Sequence, residues 1–196
     1  APFEEIQAIC RRLGATSIRV AADEAERELL WTARRSAFGA AGRLASGFYI
    51  QDGVIPRTKL PEVLARINDL AREHGVRVAN VFHAGDGNLH PLVLFDATDK
   101  AEARRAAEVA DLIAVACVEE GGSLTGEHGI GVDKRASLPK MFAETDLATF
   151  QLLRCAFDPL QRANPGKVMP TPRLCGEVPG PYRQHPLERA GLAARL

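Results

Sequence analysis

The chain has 196 residues, 46% of them apolar and 26% charged, and its 25 Lys and Arg balance its 25 Asp and Glu. That is the composition of an ordinary globular protein long enough to bury its own core. A net charge of zero provides no field to gather nucleic acid or an anionic membrane, and no apolar run approaches the ~20 residues of a membrane-spanning helix.

No secretory leader is visible. The chain opens Ala-Pro-Phe without an initiator methionine, as a processed protein or a piece of a longer one would. Its four cysteines include no CxxC pair. Cys10, Cys117 and Cys155 fall on apolar helical faces and read as small core residues, which fits a cytosolic protein.

In chain order, residues 3–13 place Phe3, Ile6, Ile9, Cys10 and Leu13 at helical spacing, and Gly14 stops that helix. Residues 17–21 read as a short strand. Asp23 caps a long helix running to about Leu44, with Trp31 and Phe38 expected in the core. Residues 47–50 form a strand, Gln51-Asp52-Gly53 a turn, and residues 54–57 an extended segment. Thr58 is the expected N-cap of a helix over 60–74, with Pro61 in its first turn, Glu62 at the dipole-favoured end and Gly75 past its end. Two apolar runs, 76–82 and 89–95, flank a turn built on Gly85-Asp86-Gly87-Asn88 and predict a β-hairpin. Asp99 opens a helix whose stripe is Ala106, Val109, Ala110, Ile113 and Cys117. Residues 123–126 are a short strand, 139–143 a possible helical turn, and 146–157 a full helix.

From Gly47 to Glu127 the order is strand, helix, strand, strand, helix, strand. The predicted fold is therefore α+β, a ferredoxin-like antiparallel sheet with helices on one face. An N-terminal helix–strand–helix and a C-terminal helix with an extended tail are added to it. Residues 1–169 form one domain and 170–196 the tail. In this topology the end of the second strand, the start of the third and the end of the fourth share one sheet edge, and His83, His90 and Glu127 occupy those places. Two imidazoles and a carboxylate make a three-ligand metal site with an open position for water or substrate. Glu127 starts ~10 Å from the third strand, two strand spacings away, so side-chain length and loop curvature must close the gap.

Thr125-Gly126-Glu127-His128-Gly129-Ile130-Gly131 reads as a flexible loop, a phosphate cradle, or a glycine-permitted approach to a flat ligand. No convincing helix follows it, which weighs against a cradle. If the loop is extended, Glu127 and His128 point to opposite sides, so one can ligate metal while the other acts as a base. Arg34, Arg35, Arg57 and Lys134 are the nearby cations. Arg57, fixed behind Pro56, is the better candidate to grip a substrate carboxylate.

HAGDGNLHPL, GGSLTGEHGIGVDKR and the later Phe157-Asp158-Pro159 with Asn164-Pro165-Gly166-Lys167 resemble the C-terminal half of FAD-linked oxidases of the vanillyl-alcohol-oxidase type, including glycolate oxidases and D-lactate dehydrogenases. The likeness covers essentially the whole chain. It implies a substrate, or cap, domain lying over a flavin held mainly by a separate N-terminal FAD domain, which has no counterpart in this chain. It implies oxidation of a small D-2-hydroxy acid, with a base taking the hydroxyl proton and hydride passing to FAD. Carried over by motif, His83, His90 and Glu127 match ligands of a divalent metal (zinc or manganese), His128 the base, and Arg34 a carboxylate contact. Arg57, Asn88 and Lys134 join it as substrate-binding candidates, and Gly129, Asn164 and Lys167 as cofactor-binding ones. Some relatives place asparagine, threonine and lysine substrate contacts where this chain has Leu92, Phe38 and Ile50, which favours glycolate or lactate over 2-hydroxyglutarate. The resemblance also implies companion subunits, one with an iron–sulfur cluster, and a cytoplasmic protein attached to the inner membrane only through them. Alone, the chain is expected to be inactive and colourless. A metal-dependent hydrolase using the same three ligands, and a ferredoxin-like dimerisation module, are the alternatives.

Overall fold

The computed structural model describes residues 2–170, which fall into two compact units divided between Leu44 and Ala45. All but the first residue of the expected tail over 170–196 lies outside the described residues.

The N-terminal unit contains α1 (Pro2–Arg12), α2 (Glu24–Arg35) and α3 (Ala37–Ala41). Asp23 caps α2 as expected, its Oδ1 accepting from Glu26 N at 2.8 Å. Three expectations fail here. Residues 17–21 form no strand, because no ladder pairs with them and an isolated strand leaves its backbone groups unpaired. The long helix breaks at Ser36, which ends α2 and opens α3; serine competes for backbone hydrogen bonds, and Gly39 weakens the next turn. Trp31 is 54% exposed instead of lying in a core. Of the described residues in this unit only Ala41 is buried.

The second unit holds the sheet: β1 (Gly47–Ile50), β2 (Gly53–Val54), β3 (Arg77–His83) and β4 (Asn88–Phe95). All pairings are antiparallel, with β3 on one side of β4 and β1 and β2 on the other. The register runs unbroken from Gly47↔Phe95 to Val54↔Asn88. So β1 and β2 are two halves of one strand, and Gln51-Asp52-Gly53 is not a turn. The ladder lapses there because Pro91 across the way has no N–H to offer. Residues 123–126 supply a single bridge, Ser123↔Val54, in place of a full strand. The spatial order is that bridge, β1/β2, β4, β3, the ferredoxin-like arrangement with its last strand reduced to one residue.

Helices α4 (Leu60–Glu73) and α5 (Lys100–Glu119) cover one face of the sheet, α5 against β1, β2 and β4 and α4 against β3. Their stripes (Val63, Ile67 and Ala71; Ala106, Val109, Ala110, Ile113 and Cys117) close on Leu89 and Val93 of β4. Each buried Val, Leu or Ile side chain among them contributes roughly 1.5–3 kcal/mol. Asp99 caps α5 through Ala101 N at 2.8 Å. The expected cap Thr58 instead lies in a 3-10 turn, Arg57–Lys59, that precedes α4. A smaller cluster joins Ala114, Leu124 and Leu138 to Ile130, Phe142, Leu147 of α6 (Glu144–Phe157) and Val168. Cys155 on α6 is disulfide-bonded, not the plain core thiol its position suggested. No helix among the described residues is long and apolar enough to cross a membrane.

Candidate metal centre

The hairpin makes the histidine pair. His83 N-terminal to the turn is paired with Asn88, and His90 lies two residues farther along β4, so both imidazoles and Asn88 emerge on the sheet face opposite the helices. The turn closes as His83 O accepts from Asp86 N and Gly87 N, both at 3.0 Å. Gly87 has φ +76, and a Cβ there would sit 2.1 Å from Ile55 O, so no other residue fits. The rings of His83 and His90 meet edge-on at 5.4 Å.

Glu127 arrives from the far side of the sheet. Its Oε1 lies 3.0 Å from His90 Nε2, 4.0 Å from His83 Nε2 and 3.9 Å from His128 Nε2. His90 is buried, whereas His83, Glu127 and His128 are half exposed. The ~10 Å gap expected from topology is closed by a residue that sequence reading assigned to a turn. Asp52, fully buried, accepts hydrogen bonds from the Thr125 hydroxyl and from the backbone N–H groups of Gly126 (2.8 Å), Glu127 (3.0 Å) and His128 (2.8 Å). Burial pushes its carboxyl up, but the Thr125 hydroxyl and the three backbone donors outweigh burial and hold it well below the usual carboxylate range. Because the loop curls around Asp52 instead of extending, Glu127 and His128 do not point to opposite sides. Both reach the His90 imidazole, and the His128 ring stacks on it at 5.0 Å.

One ligand atom from each of Asp52, His90, Glu127 and His128 lies within 4.8 Å of the others. Asp52 is nonetheless a poor ligand, since four donors already engage its oxygens. His90 Nδ1 lies 3.3 Å from Gln51 O, an arrangement in which that nitrogen carries the proton and leaves the Nε2 lone pair facing Glu127. Glu127 Oε1 lies within 3.0 to 4.0 Å of three imidazole nitrogens, those of His90, His128 and His83, and imidazole and carboxylate donors grouped in this way suit a divalent cation; His83 lies outside the group of four mutually close donor atoms.

The other expected site residues are distributed unevenly. Asn88 is buried in the hairpin with its Oδ1 lacking a hydrogen-bond partner, a free acceptor beside the histidines. Arg57 lies at the same turn, its Nη1 donating to Gly85 O at 3.4 Å. The Lys134 ammonium is buried, donates to Leu124 O at 2.9 Å and lies 3.8 Å from Asp52. Burial pulls that amine's pKa down, with Asp52 opposing. Arg34 lies in the last turn of α2, in the N-terminal unit.

Gly129 has φ +81 and donates to the Thr125 hydroxyl at 2.8 Å. Asn164 and Lys167 lie on a loop gripped by Arg154, which donates to Ala163 O, Asn164 O and Lys167 O at 2.6, 3.1 and 3.2 Å. That loop docks on the segment after His128 through Val168 N to Gly131 O, 2.8 Å, and Arg135 to Gly166 O, 2.6 Å. A cavity of about 520 Å³ opens beside it, its lining including Tyr49, Gln51, His128 and Lys134.

The sequence model of the C-terminal domain of FAD linked oxidases matches residues 2–168. The chain is 46% identical over 182 residues to glycolate oxidase subunit GlcD of Escherichia coli strain K12, covering 93% of this chain and 36% of that protein. It is 36% identical over 166 residues to GlcD of Bacillus subtilis, covering 85% of this chain and 35% of that protein. With the D-lactate dehydrogenase of Archaeoglobus fulgidus it is 34% identical over 173 residues, covering 85% and 36%. It thus spans about a third of the length of the curated relatives it matches. On the strength of that match over nearly its whole length, the chain belongs to the FAD linked oxidases, as their C-terminal domain.

Proposed function

We propose that this chain is the substrate domain of a flavin-dependent dehydrogenase of small D-2-hydroxy acids, glycolate or D-lactate, working with a divalent metal held by His83, His90 and Glu127. The observation that carries the reading is the meeting, from two distant parts of the chain, of His83 Nε2 and His90 Nε2 at 4.0 and 3.0 Å from Glu127 Oε1.

When bound, the metal lowers the pKa of a hydroxyl it coordinates and FAD accepts the hydride. The residues of this chain bind, orient and move the proton. His128 Nε2, 3.9 Å from Glu127 Oε1, stands close enough to that position to take the hydroxyl proton. Asn88 Oδ1 offers an unused buried acceptor. Arg57 beside the hairpin turn holds the carboxylate. The names of the relatives support the substrate pair, being glycolate oxidase subunits and D-lactate dehydrogenases. The reading extends to an N-terminal flavin domain, to contacts of Gly129, Asn164 and Lys167 with the flavin, to companion subunits including an iron–sulfur one, and to a cytoplasmic location at the inner membrane.

The test is anaerobic mixing of the flavin-loaded enzyme with glycolate, D-lactate and L-lactate. Bleaching of the flavin by glycolate or D-lactate, lost in His90→Ala, is expected. A flavin left oxidised by every 2-hydroxy acid overturns the proposal, and metal-dependent ester hydrolysis in its place marks a hydrolase.

A further inference from the structure

Among the described residues of the second unit, the Asp52 carboxylate is the most enclosed charge. Its side chain is fully buried, and its oxygens take hydrogen bonds from the Thr125 hydroxyl and three successive backbone N–H groups, those of Gly126, Glu127 and His128. Leaving a charge this deep unpaired would cost several kcal/mol, so its surroundings must be built to receive it. Lys134, itself buried, supplies the opposite charge at 3.8 Å and fastens Leu124 O at 2.9 Å. Thr125 is bound twice, donating to Asp52 and accepting from Gly129 N at 2.8 Å. Residues 124–129 are thereby wound about one carboxylate.

The strand that carries Asp52 also fixes the buried histidine. Its neighbour Gln51 takes the Nδ1 side of His90 at 3.3 Å, and Asp52 Oδ1 is 3.8 Å from the same nitrogen. One short piece of chain therefore sets the tautomer of His90 on one side and the direction of Glu127 and His128 on the other. These two residues have consecutive amides donating to Asp52, and from that backbone Glu127 Oε1 reaches His90 Nε2 at 3.0 Å and the His128 ring stacks on His90 at 5.0 Å. Although a carboxylate oxygen of Asp52 lies within 4.8 Å of the His90, Glu127 and His128 donor atoms, the Asp52 oxygens are already engaged by the loop donors, so its part is to hold the residues around it.

We infer that Asp52 is the positioning residue of this centre, aiming Glu127 and His128 at His90 through the backbone of 125–128, with Lys134 as its countercharge. The inference rests on the metal-site reading for its consequence but not for its structural content, and the experiment separates the two. In this 196-residue chain, amide hydrogen exchange and binding of Mn²⁺ and Zn²⁺ are compared for the native protein, Asp52→Asn and Ile67→Val, a core control far from the loop in sequence. Asp52→Asn is expected to speed exchange at Gly126, Glu127 and His128 by tenfold or more. It should also weaken metal binding by about 10- to 100-fold, the usual effect of removing an outer-shell partner, while Ile67→Val changes neither. Native exchange at those three amides in Asp52→Asn overturns the inference. If exchange rises and the native chain binds no metal, Asp52 keeps its organising role and the metal reading falls. Should Asp52→Asn not fold, Thr125→Val decides. Faster exchange at 126–129 supports the inference, and unchanged exchange overturns it.

Discussion

Asp52 and His90 face each other across the antiparallel ladder, their carboxylate and imidazole 3.8 Å apart, in the register that pairs Ile50 with Leu92 and Gly53 with Leu89. This single cross-strand pair joins the two halves of the candidate site. His90 brings the hairpin, and Asp52 brings the loop that carries Glu127 and His128, 76 residues further along the chain. The sheet thus does the long-range work that the loop sequence cannot do for itself.

A carboxyl held below its ordinary range in the folded state favours folding through its ionised form. Asp52 is such a group, so its contribution is fully present above the unfolded value of ~3.9 and is lost as pH falls through the lower folded value. Thermal midpoints measured from pH 7 downward should stay level to about pH 5 and then drop. In Asp52→Asn the midpoint should be lower near neutrality, by about 2–4 kcal/mol in stability terms, and its acid slope shallower. An equal slope in both proteins would place the acid lability elsewhere, for instance in the carboxylates Asp96, Asp99 and Asp158, which are also lowered by backbone donors.

Ligand and base should separate in mutants. His83→Ala and Glu127→Gln should release metal from the chain, whereas His128→Asn should bind it normally. In the flavin-loaded enzyme His128→Asn should then lose about 10²–10⁴ in the rate of flavin reduction. Metal content by elemental analysis and rapid-mixing kinetics read these independently. Loss of metal in His128→Asn with retention in His83→Ala would exchange the two roles, an outcome the 3.9 and 4.0 Å distances to Glu127 make worth checking.

Much of this was legible beforehand where pattern and burial agree. The α5 stripe from Ala106 to Cys117, its Asp99 cap and the hairpin around Gly87 follow from periodicity and turn chemistry, and all three appear. Of the trio the two motifs suggested, His90 Nε2 lies 3.0 Å and His83 Nε2 4.0 Å from Glu127 Oε1. What failed depended on partners far along the chain. Residues 17–21 have strand composition but no strand to pair with. Gln51-Asp52-Gly53 has turn composition, yet Asp52 is buried because Thr125–His128 bring it four donors. Burial of Lys134 has the same cause, its countercharge lying 82 positions away. A charged residue between two apolar strand halves was the available signal, since only a paired carboxylate survives there.

Packing at the rear of the sheet is tight enough to test by a single methyl group. A Cβ on Gly53 would lie 2.4 Å from Cys117 Sγ on α5, against atoms with no room to retreat. Gly53→Ala should cost about 1–3 kcal/mol, seen as a lower denaturant midpoint. Gly53→Ala combined with Cys117→Ala should recover part of that loss. The same enclosure pushes the Cys117 thiol up to about 11. At pH 8 only about one molecule in 10³ then carries a thiolate, so an alkylating agent should label Cys117 only after unfolding.

Substrate size should be set on the sheet face that His90 shares. Two residues beyond His90 is the buried Leu92, and opposite it is Ile50, the exposed apolar side chain of that pair. An apolar neighbour accepts the hydrogen or methyl of glycolate or lactate at no cost, but it leaves the second carboxylate of a dicarboxylic hydroxy acid desolvated without a partner. Ile50 is 38% exposed and tolerates a polar replacement, whereas the fully buried Leu92 does not. Ile50→Lys should therefore raise kcat/KM for 2-hydroxyglutarate relative to D-lactate by about tenfold or more, as one new charge-assisted contact would, with metal affinity unchanged. If Ile50→Lys leaves that ratio where it was, the substrate does not lie against Ile50, neither along this face nor at the wall Ile50 gives to the cavity between β1, α5 and the loop after His128.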